Sequence, residues 1–164
     1  MSEKRTYGLK SVKTADPSVD GTMPTALTEL CRTYKDSCEF TEDDAQITEE
    51  FCDQEDDPIE TFSQKGSKSV KFSTFDYSPE TLKKLKGGTI VEGKWAEPTN
   101  TPEIIQAVEI TTATGMNFSF PKARILAKFN SKFVKNGLSL IEVTIKPMSP
   151  GPGKPAVLIG DKTP

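Results

Sequence analysis

The chain has no histidine among its 164 residues, and only three cysteines and one tryptophan. Without histidine it lacks the commonest general base and the commonest nitrogen ligand for metals, which lowers the expectation of catalysis. Cys31, Cys38 and Cys52 are an odd number and form no Cys-x-x-Cys, so they imply neither a disulfide framework nor a zinc site. They read as small buried residues of a reducing compartment. No apolar run approaches the roughly 18 residues of a membrane span. Met1-Ser2-Glu3-Lys4-Arg5 is not followed by an apolar stretch, so no signal peptide is expected. The apolar fraction is 34% and the mean hydropathy −0.48, a modest core for this length. Either flexible arms or surface buried only on assembly would account for it. The net charge is −3.

What is present is β-pattern. Glu103–Pro147 reads as three consecutive strands, Glu103–Thr112, Met116–Asn130 and Leu138–Pro147, separated by Ala113-Thr114-Gly115 and a turn over Asn130–Gly137. Met116, Phe118 and Phe120, then Ala123, Ile125, Ala127 and Phe129, alternate with polar residues, and alternation at a period of two lays down one apolar face. Pro121 cannot donate to a ladder, so it is expected to break the middle strand into two, with a bend or bulge at Phe120-Pro121-Lys122. A meander of this kind is not stable alone and needs the rest of the chain to close over it.

Upstream, residues 1–33 carry few bulky apolar side chains and several turn dipeptides, Asp16-Pro17, Asp20-Gly21 and Met23-Pro24. They read as an extended arm, with a short strand at Tyr7–Val12 and a helical turn or short strand at Pro24–Leu30. Further strands are expected at Lys35–Thr41, Gln46–Phe51, Ile59–Gln64, Lys68–Phe75 and Thr89–Trp95, the last broken at Gly93. One helix is expected from Ser78 as N-cap, with Pro79 at its first position, Leu82 and Leu85 as its apolar stripe, and Gly87-Gly88 as its stop. Ala96–Pro102 is a loop. Met148–Pro155, rich in Pro and Gly, is a linker of extended character, and Ala156–Ile159 is either an edge strand or a docking tip. The fold class is therefore mainly β: an antiparallel β-sandwich or partly closed barrel with one short flanking helix. It divides into an N-terminal arm (1–33), a β-domain (34–147) and a Pro/Gly-rich C-terminal extension (148–164).

The most unusual stretch is acidic. No Lys or Arg lies between Lys35 and Lys65, where Glu42, Asp43, Asp44, Glu49, Glu50, Asp53, Glu55, Asp56 and Asp57 are concentrated. Asp53, Glu55 and Asp57 are spaced at two, but the loop lacks the glycine and distal glutamate of a calcium loop, so a solvated acidic face is the simpler reading. Repeated around a ring, such a hairpin would also give a negative wall that keeps a polyanion from sticking, over a screened range of about 8–10 Å. The basic residues, from Lys65 to Lys86 and from Lys122 to Lys135, suggest nucleic-acid binding or contact with the acidic territory of another copy. The aromatics between them alternate toward the core instead of forming a stacking platform, which puts self-association first. Neither Gly87-Gly88 nor Gly151-Pro152-Gly153 has the strand–loop–helix context of a phosphate loop. No Ser, Cys or Lys has an evident base and orienting partner, so no catalytic residue, metal or cofactor is nominated and the chain is not expected to be an enzyme. Trp95 is expected to pack on the apolar face of the meander.

The order of elements, together with Pro79-Glu80-Thr81-Leu82-Lys83-Lys84-Leu85, Gly87-Gly88-Thr89, Gly93-Lys94-Trp95, Pro102-Glu103-Ile104, Phe120-Pro121-Lys122-Ala123 and Asn136-Gly137-Leu138, resembles the major tail tube proteins of long-tailed bacteriophages. It is similar more loosely to the inner-tube proteins of contractile injection machines. The resemblance covers about Tyr34–Pro147. It implies a virion protein, assembled in the host bacterial cytoplasm, whose copies join in hexameric rings that stack into a tube. Its partners would be itself, a tape-measure protein and other tail proteins, with DNA passing through the lumen without specific binding. It also implies that sheets merge between subunits, making Ile104, Val108, Ile110, Phe118, Phe120, Ile125, Leu138, Leu140 and Val143 candidate inter-subunit strand residues. The acidic hairpin would face the lumen or the next ring, and the two terminal segments would be bridging arms. The alternative is a small β-sandwich binding module that recognises a protein or carbohydrate through exposed loops.

Overall fold

The computed structural model describes residues 3–161, so residues 1–2 of the expected arm and 162–164 of the expected extension lie outside it. Twelve strands and one helix follow one another among the described residues: β1 (Ser11–Ala15), β2 (Thr28–Glu29), β3 (Glu39–Glu42), β4 (Gln46–Glu50), β5 (Glu60–Gln64), β6 (Lys68–Thr74), α1 (Pro79–Lys86), β7 (Thr89–Val91), β8 (Lys94–Ala96), β9 (Ile104–Thr111), β10 (Met116–Asn130), β11 (Leu140–Pro147) and β12 (Leu158–Asp161). Eight of the strands form one antiparallel sheet in the order β2-β1-β9-β10-β11-β6-β3, with β12 also on β10. β4–β5 and β7–β8 are separate two-stranded ribbons. The fold is mainly β, sandwich-like, with no closed barrel.

β10 is the axis of this arrangement. Phe120 stands opposite Val108, but the next register pair is Ala123 with Gln106, so β10 spends three residues where β9 spends two. Pro121 and Lys122 form this bulge. The missing proline N–H falls where the ladder is already interrupted, and the strand bends there without ending. The expected break into two strands is thus a register shift within one. The first half of β10 takes β12 on one edge (Met116–Ser119) and the second half takes β11 on the same edge (Ala123–Asn130).

The bend lets the sheet curl onto itself. Phe40 on the edge strand β3 lies three strands from β10 in the sheet, yet its ring sits 5.7 Å from that of Phe120 and 5.9 Å from that of Phe118. Strands about 4.8 Å apart in a flat sheet would hold them well over 10 Å apart. Inside the curl are Val12 from β1, Val70 and Phe72 from β6, Val108 and Ile110 from β9, Phe120, Ala123 and Ile125 from β10, and Ile141, Val143 and Ile145 from β11, all buried. Leu82 and Leu85 of α1 join this core.

α1 begins as expected at Pro79, but the Ser78 hydroxyl makes no capping bond to the backbone. Asp76 organises the entry instead, accepting the Ser78 N–H at 3.0 Å and the Thr81 hydroxyl at 2.8 Å. Gly87, at φ 77°, ends the helix and donates its N–H to Lys83 O. The Trp95 indole donates to Gly87 O at 2.8 Å. Thr89–Trp95 is not a single interrupted strand. Glu92 and Gly93 both have positive φ (50° and 76°), the signature of a two-residue hairpin turn, and β7 folds back as β8.

The N-terminal segment differs from expectation, while of the two alternatives for Ala156–Ile159 the edge strand is found, at Leu158–Asp161. The arm is extended, but β1 pairs with β9 along its whole length and Lys10 donates to Thr111 O, so it is built into the sheet. The short strand lies at Ser11–Ala15 rather than Tyr7–Val12. The far end of the chain returns as β12, and Lys4 forms an ion pair with Asp161. Both segments are therefore tied to their own chain. Val12 and Thr14 supply an inward face that the polar composition of residues 1–33 conceals.

Candidate assembly surfaces

The acidic hairpin is real and stands apart from the main sheet. β4 and β5 pair from Gln46–Gln64 to Glu50–Glu60, and Ile59 N–H continues the ladder to Glu50 O. All nine singled-out carboxylates, Glu42 to Asp57, are exposed. Glu42 ends β3 beside Lys68 at 3.4 Å, Glu49 and Glu50 lie on β4, and Asp53 to Asp57 lie in the connecting loop. Glu50 stands directly opposite Glu60, a like-charge pair that weakens the ribbon. Among the described residues no three carboxylates or thiols converge to hold a cation.

The hairpin also carries apolar surface that composition hid under its charge. Ile47, Phe51, Ile59 and Phe62 are 64%, 57%, 56% and 59% exposed. Cross-strand partners share a face, so Ile47 lies with Ser63 and Glu49 with Thr61. The next positions along that face are Phe51 and Ile59. One side of the ribbon thus carries Ile47, Phe51 and Ile59 around the Glu49–Thr61 pair, and Phe62 lies on the other side. An isolated two-stranded ribbon is at best marginally stable in water, and here none of the described strands covers it.

Its base is rigid. Asp43 N–H donates to Ser67 O at 2.9 Å, and the Ser67 hydroxyl donates to the Asp43 carboxylate at 2.8 Å. A Cβ on Gly66 would meet Asp43 O at 1.8 Å, so only glycine fits where the two strands leave the sheet.

A second surface lies at the other end. β6 runs from Lys68, beside Glu42, to Thr74, beside Ile141. The hairpin therefore leaves the sheet at one end and the β10–β11 loop, Ser131–Ser139, at the opposite one, about 20 Å away at 3.3 Å per residue. The loop's root is held: the Tyr77 hydroxyl bonds Ser131 Oγ (2.5 Å) and Leu140 O (2.9 Å), and Ser139 Oγ donates to Lys132 O (2.7 Å). Phe129 packs beside Tyr77 and Trp95, with the Lys86 ammonium 4.9 Å from its ring centre. The tip exposes Phe133 and Val134 between Lys132 and Lys135, and Leu138 just beyond them. No protein-family model matches the chain, and no curated protein matches it.

The candidate inter-subunit strand residues require correction. Val108, Ile110, Phe120, Ile125 and Val143 are buried in their own core, and β9, β10 and β11 are hydrogen-bonded on both sides. The curl turns the apolar face of the meander inward, so these side chains meet their own chain and not a neighbour's. Ile104, Phe118 and Leu140 are half-buried on the same strands. Leu138 alone of the set is exposed, because it lies in the loop before β11. The sheet positions with an unpaired side are β2, β3 and β12.

Between the edge strand β3 and the arm lies a groove of about 600 Å³, lined in part by Tyr7, Leu9, Tyr34, Cys38, Phe40 and Phe118. Burial pushes the Cys38 thiol up to about 11, and that of Cys31 likewise to about 11. Both are free thiols, as is Cys52 in the hairpin loop. Burial also works to raise the Asp76 carboxyl, but its hydrogen bonds from Ser78 and Thr81 outweigh it and hold it below the usual range.

Proposed function

We propose that this chain is a structural assembly subunit that works as a polymer of itself, and that the polymer is a phage tail tube. The observation that carries self-assembly is the β4–β5 ribbon: apolar and acidic, exposed along both strands, and covered by none of the described elements. Four large apolar side chains on a free two-stranded ribbon are surface that a lone protein has reason to hide. Unpaired sides on β2, β3 and β12 add backbone groups open to a neighbour. The tube itself rests on the resemblance of Tyr34–Pro147 to tail tube proteins, and with it the hexameric ring, the tape-measure partner and the passage of DNA. Because the terminal segments pair within their own sheet, bridging between copies falls to the hairpin and the end loops.

The test is negative-stain microscopy and light scattering of the purified chain over a wide concentration range. Rings with a central hole, or filaments, are expected. A monodisperse monomer throughout would overturn the reading. The groove beside Phe40 favours the second reading, a binding module; a saturable ligand that perturbs Tyr34 and Phe40 resonances in a monomer would select it.

A further inference from the structure

Two exposed apolar surfaces among the described residues lie at opposite ends of one sheet and carry opposite charge. Residues 42–64 hold ten carboxylates and no Lys or Arg, arranged around Ile47, Phe51 and Ile59. Residues 131–139 hold two lysines and no carboxylate, arranged around Phe133, Val134 and Leu138. We propose that the β4–β5 hairpin of one copy seats on the Ser131–Ser139 loop of a second copy, so that subunits join end to end. This rests on the self-assembly reading and names the contact within it.

The geometry supports one occupant. A patch that binds its own equivalent across a two-fold axis must be self-complementary, and an all-acidic ribbon facing another would repel it. The acidic ribbon needs a basic, apolar acceptor, and the same chain presents one at its far end. Because donor and acceptor differ and point in opposite directions, the contact is heterologous: each copy leaves one hairpin and one loop free, and the association propagates. The loop is suited to receive a ribbon because its root is pinned by Tyr77 and Ser139 while its tip stays open. The charges set orientation and register, and the buried apolar side chains hold the contact in salt.

Two variants test this: one reverses the hairpin tip, Asp53→Lys/Glu55→Lys/Asp56→Lys/Asp57→Lys, which are all the carboxylates of residues 52–58, and one reverses the loop, Lys132→Glu/Lys135→Glu. By sedimentation velocity at about 0.1 M salt, each alone is expected to need at least about tenfold more protein to associate end to end, equivalent to about 1.4 kcal/mol. An equimolar mixture restores association, since each reversed end then meets its complement on the other variant. In the pellet the two variants are present one to one. Trp95 fluorescence confirms that both are folded. A second measurement uses the native thiol at the hairpin loop: a short bis-maleimide joins Cys52 to Val134→Cys of another copy in a ladder of species, and Cys52→Ser abolishes it. Reversed variants that each assemble like the wild type, a mixture that stays dispersed while the wild type assembles, or a missing ladder would overturn the docking and leave self-assembly standing. A wild-type chain that never associates overturns both.

Discussion

Phe120 and Phe133 are the same residue type at 0% and 96% exposure, which separates the forces that hold the fold from those that join copies. Phe120→Ala removes a ring from the inside of the bend, beside Val108 across the ladder and Phe40 across the curl. A buried Phe→Ala change costs about 3–5 kcal/mol through lost transfer energy and the cavity left behind. The tilted contact with Phe40 accounts for about 0.5–1.5 kcal/mol of such a loss. Against a total stability of about 5–15 kcal/mol, that lowers Tm by about 6–20 °C for a chain of this size. The assay is urea unfolding followed through Trp95, the single tryptophan, in the dispersed Lys132→Glu/Lys135→Glu background so that association does not distort the baseline. The midpoint should fall with m unchanged. Phe133→Ala in the same background should stay within about 0.5 kcal/mol, and in the otherwise native chain it should weaken association. If Phe120→Ala loses less than about 1 kcal/mol, or if Phe133→Ala loses as much as Phe120→Ala, the curled core described above is wrong.

Other outcomes follow from single contacts. Gly66→Ala places a methyl against the Asp43 carbonyl, so the hairpin base must open; hydrogen exchange at the Asp43 amide should speed up, with a loss of about 1–3 kcal/mol. Asp76 has a lowered folded-state pKa, so its contribution is full above the unfolded value near 3.8 and is lost as pH falls through the lower, folded value; Asp76→Asn should remove that part of the acid slope, measured by Tm against pH. Cys31 and Cys38 have raised values near 11, so stability should fall as pH rises from about 9 to 11, and the difference between the native chain and Cys31→Ala/Cys38→Ala should shrink over that window. Asp53→Asn/Glu55→Asn/Asp56→Asn/Asp57→Asn should leave the Trp95-monitored unfolding midpoint in place, because all four side chains are exposed, while association weakens.

Much of the fold was legible from residue spacing. The meander, the helix with Pro79 and Gly87 at its ends, and the acidic hairpin all follow from alternation, capping and turn chemistry. Pro121 announced the bulge, since a residue without an N–H has few other places in a long strand. What spacing could not show was which face each strand would turn to whom. The alternation of Phe118, Phe120 and Ile125 is the same whether the apolar face meets its own chain or a neighbour, and only the three-dimensional curl decides it. Spacing puts β1 four residues early, at Tyr7–Val12 in place of Ser11–Ala15, because its inward face is only Val12 and Thr14 in a polar stretch. β7–β8 was hidden because Glu92 occupies a positive-φ position usually marked by Asn, Asp or Gly. Asn130–Gly137 reads as a simple turn; the signal against that is Phe133-Val134 between two lysines, where a turn needs no large apolar residue.

The sharing of one edge of β10 by β11 and β12 has a consequence for synthesis. About 40 residues of chain separate Ser119 from Leu158, and at about 5–20 residues per second the ribosome needs several seconds to deliver them. Through that interval the backbone of Met116–Ser119 has no neighbour on that side, while the rest of the sheet can already fold. β12, the last strand among the described residues, is the one that seals this gap. In a polysome, where many copies are made side by side, a strand from the wrong copy fits the same vacancy, so timing and tether length decide whether the seal is made within one chain.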